Sequence, residues 1–129
     1  MIEAGDLRNK TLLHGAARAG DLETLNLLLE RNTYEDARDS NRRTPLHYAV
    51  AHPALVRRLL DGGATVGPKN KLNQTPLYAA ASIGNAESVR TLLERGASPR
   101  VRDSSGKTAS DIALENGHNN IVEMLSQNV

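Results

Sequence analysis

The chain has 129 residues, a net charge of +1, charged residues at 24% and no cysteine, which excludes a disulfide framework and a thiolate metal site and leaves no global attraction to nucleic acid or anionic membrane. With three Tyr and no Phe or Trp, any core must be built from Leu, Val, Ile and Ala, a composition that suits closely packed short helices better than a sandwich or barrel. The longest apolar runs, such as Leu27-Leu28-Leu29, fall far short of a membrane span, and the first residues lack the apolar stretch of a signal peptide, so a cytoplasmic or nuclear location is expected.

Four segments align with one another: TLLHGAARAG from Thr11, TPLHYAVAHP from Thr44, TPLYAAASIG from Thr75 and TASDIALENG from Thr108, with starts 33, 31 and 33 residues apart. Each reads as a helix capped by its Thr, with Pro45 and Pro76 at the first helical position, where a missing N–H costs nothing. The first unit then predicts a helix from Thr11 to a glycine stop at Gly20, and a second helix through LNLLLERN from Leu25. In the second unit the first helix is cut short near Ala51, because His52-Pro53 replaces the glycine turn and a residue before proline is pushed out of the α region. From Thr44 to Gly63 is 19 residues against 21 from Thr75 to Gly96, so two residues are missing between the helices. The second helices are VRRLLDGGA from Val56 and VRTLLERGA from Val89, and VEMLSQNV from Val122 closes the last unit. Helices of two or three turns are marginal alone, so each must bury its apolar stripe against the neighbouring units.

These residues resemble ankyrin repeats, whose period is 33 residues and whose signature is T-P-L-H. The resemblance covers roughly Asp6 to the C-terminus: Thr44-Pro45-Leu46-His47 matches in full, Thr75-Pro76-Leu77-Tyr78 lacks the His, and Thr11-Leu12-Leu13-His14 lacks the Pro. It implies an all-α solenoid of stacked helix-turn-helix units with short β-hairpin finger loops, a single domain over residues 1–129 with repeats at approximately 6–38, 39–69, 70–102 and 103–129. The first and last units would act as caps, the last made polar by Ser110, Asp111, Asn116, Asn119, Asn120, Ser126 and Gln127, so that the array is expected to be complete at four units. In the family the stretch before each Thr forms the finger; here Asp39 and Asp103 stand five residues before their Thr, and Gly106, Asn73, Arg42 and Asn9 stand two before it, where a left-handed residue is wanted.

Function also follows from the resemblance: non-enzymatic protein–protein interaction, as an adaptor or inhibitor, through a concave groove formed by finger tips and the exposed edges of the first helices. Matching positions include Arg8, Lys10, Arg18, Ser40, Asn41, Ala51 and Ser104. The expected partner-binding set is Arg42, Arg43, Tyr48, His52, Lys71, Leu72, Gln74, Ser82, Ile83, Ser105 and Lys107. Leu72 and Ile83 have no helical-stripe reason to be apolar and are expected near Tyr48 and His52, as the apolar centre of an interface. Counting the six residues before each Thr gives nine basic against three acidic residues, so the finger edge would steer an acidic partner.

No cofactor, metal or catalytic residue is implied. Ser105-Gly106-Lys107-Thr108 lacks the earlier glycine of a phosphate-binding loop, since Val101 occupies that position, and His14 and His47 sit in the signature slot, where the family spends the imidazole on hydrogen bonds between units. Asp111, Ser110 and His118 have neither a glycine elbow nor oxyanion donors to make them a triad. The chain is expected to be monomeric before it meets its partner protein, with no small-molecule substrate and no membrane association. Three further readings stay open: an engineered ankyrin scaffold, from the missing Cys, Phe and Trp; a cyclin-dependent-kinase-inhibitor-like ankyrin protein, from the shortened helix of the second unit; and a nucleic-acid-associated protein using the basic fingers.

Overall fold

The computed structural model describes residues 4–31 and 33–127, and residues 4–11 by their backbone alone. Eight helices follow one another in it: α1 (Ala4–Ala19), α2 (Leu22–Glu30), α3 (Pro45–Ala49), α4 (Pro53–Asp61), α5 (Pro76–Ile83), α6 (Ala86–Glu94), α7 (Ala109–Glu115) and α8 (Asn119–Ser126). They pair as hairpins, and the pairs stack in order, α1 on α3, α3 on α5 and α5 on α7 in one layer, with α2 on α4, α4 on α6 and α6 on α8 in the other.

The helix starts and stops have local causes. The Thr75 and Thr108 hydroxyls accept from the N–H of Tyr78 and Asp111, each at 3.2 Å, while the Thr44 N–H donates to Nδ1 of His47 at 3.0 Å. These contacts satisfy donors that the first helical turn leaves orphaned. Deletion of two residues shortens α3 to five residues, and His52, outside the helical region at φ −129°, becomes the cap of α4 as Pro53 dictates. The expected start of the first helix at Thr11 is corrected: α1 runs unbroken from Ala4, so Thr11 lies inside it. Leu12 stands where later units carry Pro45 and Pro76, and no proline between Ala4 and Ala19 interrupts the hydrogen-bond ladder. Asn9 and the rest of residues 5–10 are therefore helical and form no finger; the side chains of Arg8, Lys10 and Thr11 lie outside the described residues.

Side chains build one continuous apolar seam through all four pairs: Leu13, Leu46 and Leu77 from the first helices, and Leu25, Val56 and Val89 with Leu59, Leu92 and Leu125 from the second, joined in α8 by Ile121 one position earlier than the Val89 slot, all fully or nearly fully buried. Truncating one such Leu to Ala would cost about 2–5 kcal/mol, a large share of the stability of a chain this size.

The fingers are tighter than hairpins with paired strands. Asp39 N–H donates to the Arg43 carbonyl and Arg42 N–H to the Asp39 carbonyl, both at 2.9 Å, and the pattern repeats at Asn70–Gln74 and Asp103–Lys107. That is a four-residue turn ending in one left-handed residue: Arg42 at φ 62°, Asn73 at 62° and Gly106 at 85°. The expected β-hairpins are thus corrected to single hydrogen-bonded turns, because only one residue pair closes before the Thr cap; no strand occurs among the described residues. Neighbouring fingers are joined by Lys71 N–H to the Asn41 carbonyl (3.0 Å) and Ser104 N–H to the Leu72 carbonyl (2.9 Å).

Glycine turns lie under the rings of histidines from the following unit. At Gly84, φ 80°, an added Cβ would stand 2.6 Å from the His118 ring, whereas at Gly96, φ 93°, it would meet nothing within 4 Å. Both sites strain an L-residue, but only Gly84 adds a steric conflict with the next helix pair. We expect Gly96→Ala to lower stability by about 1 kcal/mol and Gly84→Ala by roughly 2 kcal/mol or more. In urea titrations the Gly84→Ala/His118→Ala double variant should recover part of the Gly84→Ala loss, and strict additivity would contradict the steric account.

Candidate functional site

A cleft of about 550 Å³ opens between the first helices and the fingers, lined by Arg18 of α1, Asn41 and Arg43 of one finger, Asn70 and Gln74 of the next, His47, Tyr48, Val50 and Ala51 at α3, and Ala79 and Ile83 of α5. Its shape is fixed by hydrogen bonds that cross from unit to unit. Nε2 of His14 meets the Arg43 carbonyl at 2.8 Å, and Nε2 of His47 meets the Gln74 carbonyl at 2.9 Å, so each signature histidine holds the finger of the next unit. Tyr78 occupies the same slot with a longer side chain and reaches farther, donating its hydroxyl to the Asp103 carboxylate at 2.8 Å.

Each finger is organised by one side-chain carbonyl or carboxylate oxygen. Oδ1 of Asp39 accepts from the N–H of Asn41 and Arg43 (2.9 Å each), Oδ1 of Asn70 from Leu72 and Gln74 (2.9 Å each), and Oδ1 of Asp103 from Ser105 (2.8 Å) and Lys107 (2.9 Å). The other Asp39 oxygen accepts from the Tyr48 hydroxyl. The Tyr48 ring then meets the His14 ring edge-on at 5.7 Å, with the Arg43 guanidinium 5.8 Å over its face. Arg43 is thereby held at the cleft wall by a cation–π contact, and Tyr48 by three neighbours at once.

Electrostatics of these ties are set by burial and donors. Burial pushes the His47 imidazole down to about 4, with the nearby Arg43 and Arg38 charges acting the same way against the Gln74 carbonyl. Partial burial raises the Asp39 carboxyl, but the Tyr48 hydroxyl and the Arg43 and Asn41 N–H groups outweigh it and hold it below the usual carboxylate range. Asp103 is held low by the Lys107 N–H and the Tyr78 hydroxyl. The Tyr78 phenol is pushed up to about 12 by burial and by the Asp103 carboxylate it donates to. All four groups are locked in one protonation state near neutral pH and act as structural joints.

Of the eleven residues expected to bind a partner, the cleft gathers Arg43, Tyr48, Gln74 and Ile83, and Arg18, Asn41 and Ala51 of the wider set. The others sit elsewhere. Arg42 and Lys71 are exposed on finger tips, Leu72 is 53% exposed on the next finger without lining the cleft, and Ser105 is exposed in the last finger. The Lys107 ammonium pairs with Glu115 at 2.6 Å. His52 and Ser82 join units: the His52 ring covers Gly20 with Nε2 3.2 Å from the Arg18 carbonyl, and the Ser82 carbonyl accepts from Nδ2 of Asn116 at 2.9 Å, with Nε2 of His118 3.2 Å away. Ile83, 50% exposed, shares the cleft with Tyr48, as expected; His52 and Leu72 do not join them. Val50, Ala79 and Asn70 were not anticipated, although the recurrence of Asp39, Asn70 and Asp103 five residues before each Thr is a signal the sequence contains.

The basic finger edge survives in reduced form, because residues 5–10 are helical. Fingers 38–43, 69–74 and 102–107 hold seven basic residues against Asp39 and Asp103. Two of the bases brace the loops themselves, Arg38 donating to the Lys69 carbonyl and Arg102 to the Gly106 carbonyl, each at 3.0 Å.

Comparison with known proteins agrees with this architecture. A family model described as ankyrin repeats (three copies) matches residues 2–70 and 51–129. The chain is 36% identical over 118 residues to a transient receptor potential cation channel subfamily A member 1 homolog of Caenorhabditis elegans, covering 90% of this chain and 10% of that protein. It is 37% identical over 127 residues to tyrosine-protein kinase Shark of Drosophila melanogaster, covering 96% and 14%, and 35% identical over 103 residues to human ankyrin repeat and SOCS box protein 11, covering 78% and 32%. It thus spans a tenth to a third of the length of these relatives.

The His47 joint makes stability depend on pH. Its imidazole is neutral in the fold down to about pH 4 and protonates near 6.5 in the unfolded chain. The unfolded state therefore binds more protons between these values, and stability is full above pH 6.5 and falls as pH drops towards 4. Urea unfolding at pH 4.5 should show roughly 2–3 kcal/mol less stability from this group than at pH 7.5. His47→Gln should flatten that stretch of the profile, and an unchanged slope would refute the assignment. Losses from Asp39 and Asp103 enter only below the ordinary carboxylate value of 3.8.

Proposed function

The chain belongs to the ankyrin-repeat family, and on that premise we propose that it works as a non-enzymatic recognition module, capturing an acidic segment of another protein in the cleft between the first helices and the fingers. The observation that carries this reading is the pairing, in one cleft, of a fixed cation with an apolar anchor point: Arg43 held over Tyr48, and Ile83 half exposed across from it.

Each part suits a peptide better than a reacting small molecule. Arg18 and Arg43 offer carboxylate partners, and Asn41 and Gln74 offer amides for a partner backbone. Val50, Ala51, Ala79 and Ile83 give a shallow apolar floor. His47 is committed to a bond with the next unit and Tyr48 to Asp39 within its own, which leaves no base poised beside a nucleophile among these groups. Because the floor and walls come from three helix pairs already locked together, little ordering entropy opposes binding, which favours affinity from a modest surface. Exposed Arg42 and Lys71 extend the positive edge outwards and would raise the encounter rate of an acidic segment.

Panning the immobilised chain against a phage-displayed random peptide library tests this directly. We expect enriched peptides to carry Asp or Glu next to an aliphatic residue, and Arg43→Glu and Ile83→Asp each to weaken their binding at least tenfold, about 1.4 kcal/mol. The Arg43→Glu/Lys71→Glu pair should also lower the association rate and remove most of its salt dependence. Enriched peptides indifferent to both single substitutions would place recognition elsewhere.

A further inference from the structure

We propose that the two end faces of the stack bind each other, so that a second copy of this chain docks its N-terminal face on the C-terminal face of the first and continues the solenoid. The argument comes from comparing each helix slot along the stack. Six residues after each Thr, Ala17, Val50 and Ala81 are buried under the following helix pair, yet in the last pair Leu114 fills this slot and is 61% exposed. The fourth residue of each second helix is Leu25, Val56 and Val89, fully buried, but Val122 in α8 is only half-buried.

The opposite face shows the complementary set. One residue after each Thr, Pro45, Pro76 and Ala109 are buried against the preceding pair, whereas Leu12 is 48% exposed. The sixth residue of α6, Thr91, is buried, whereas Leu27 at the same place in α2 is 51% exposed. That this slot faces the preceding pair is shown by Arg58, its counterpart in α4, whose Nε donates to Oδ1 of Asn26 in α2 at 2.7 Å.

The fold therefore suggests what covers these residues: the end residues repeat slots that are buried or part-buried where a neighbouring pair is present, the Leu12 and Leu27 type at one end and the Leu114 and Val122 type at the other. An occupant with the right shape and apolar character is a second copy, whose other end presents that surface. Such a contact is heterologous, so it propagates and does not close. One register contact opposes it. At the junction of the second and third pairs, Arg57 pairs with Glu87 at 3.0 Å; the matching residues across a copy-to-copy junction are Glu123 and Glu23, which repel. Added salt should accordingly strengthen the association. The cleft faces sideways to the stacking direction, so partner capture and stacking can occur together, and either can fail without the other.

Sedimentation equilibrium on the intact chain decides the matter, with circular dichroism confirming the fold of each variant. The weight-average mass should climb with concentration past the dimer. Leu114→Asp and Leu27→Asp each remove one face and should each lower the association constant at least tenfold. Mixing the two variants should restore association as a 1:1 dimer that grows no further, since each retains the face the other needs. Glu123→Arg should restore the Arg57–Glu87 type of pair and raise the association constant roughly 1.5- to 5-fold. A wild-type chain that stays monomeric at all concentrations, whatever larger polypeptide might cover those faces, overturns the proposal, as does dimerisation of Leu27→Asp alone, which would mean a symmetric contact between C-terminal faces.

Discussion

Everything in this molecule depends on the bond between one helix pair and the finger of the next. After α1, no helix among the described residues is longer than nine residues, too short to persist alone in water. Packing of Leu and Val seams supplies most of the attraction between pairs, but apolar packing alone leaves rotation and register soft. The side chain three residues after each Thr removes that softness: His14, His47 and Tyr78 each reach across the junction to a fixed acceptor on the following finger. The Arg43 and Gln74 acceptors belong to residues whose N–H groups are held by the Asx oxygen of their turn, and the Asp103 acceptor is that Asx group itself, so the direction of each finger is inherited from its neighbour.

The cleft proposed as the binding surface is a by-product of the same joints. Arg43 gives its carbonyl to His14 on the inner side and its guanidinium to the Tyr48 face on the cleft side. One residue therefore couples the spacing of the first two pairs to the charge displayed at the cleft wall. Tyr48 is tied in turn to Asp39, the organiser of the same finger. Loosening any of these contacts would move a cation relative to Ile83, and it is that separation, more than the identity of either residue, which a bound segment would read.

Much of this was legible because repetition converts weak local signals into strong ones. A lone Thr-Pro or Gly says little, but in phase they fixed the helix starts of α5 and α7, the truncation of α3 at His52-Pro53, and the left-handed turns after α5 and α6. The first unit was misread because a cap is a competition. Thr11 can cap a helix only where the chain before it leaves the helical path, and without a proline at Leu12 or a finger to join, extension to Ala4 wins. Other features escaped because they are through-space facts. Nothing in the sequence says that the His52 and His118 rings lie on Gly20 and Gly84 one unit earlier, or that Tyr48 bonds within its own unit while Tyr78 bonds across the junction. The one-residue difference in slot, Tyr48 four residues after Thr44 and Tyr78 three after Thr75, separates the two tyrosines, and its consequence becomes visible only once the pairs are stacked.

The two apolar exposures of this chain differ in kind. Ile83 lies at the end of a first helix, beside bases and amides, in a concave surface whose other members are fixed by structural bonds; its neighbours are chemically mixed, so its selectivity is for a mixed partner. Leu12 and Leu114 are instead exposed at slots that the fold buries in every other pair, and Leu27 at one that is buried at Thr91 and part-buried at Arg58 and Met124; their neighbours are the ends of the same seams that run through the core. A surface that repeats an internal junction prefers an occupant built like that junction, since the matching of side chains has already been solved once per unit along the stack. The proposed partner recognition at the cleft and the proposed stacking at the ends thus draw on separate residues of one scaffold, and substitutions at one should leave the other intact because the seam between them is rigid rather than adjustable.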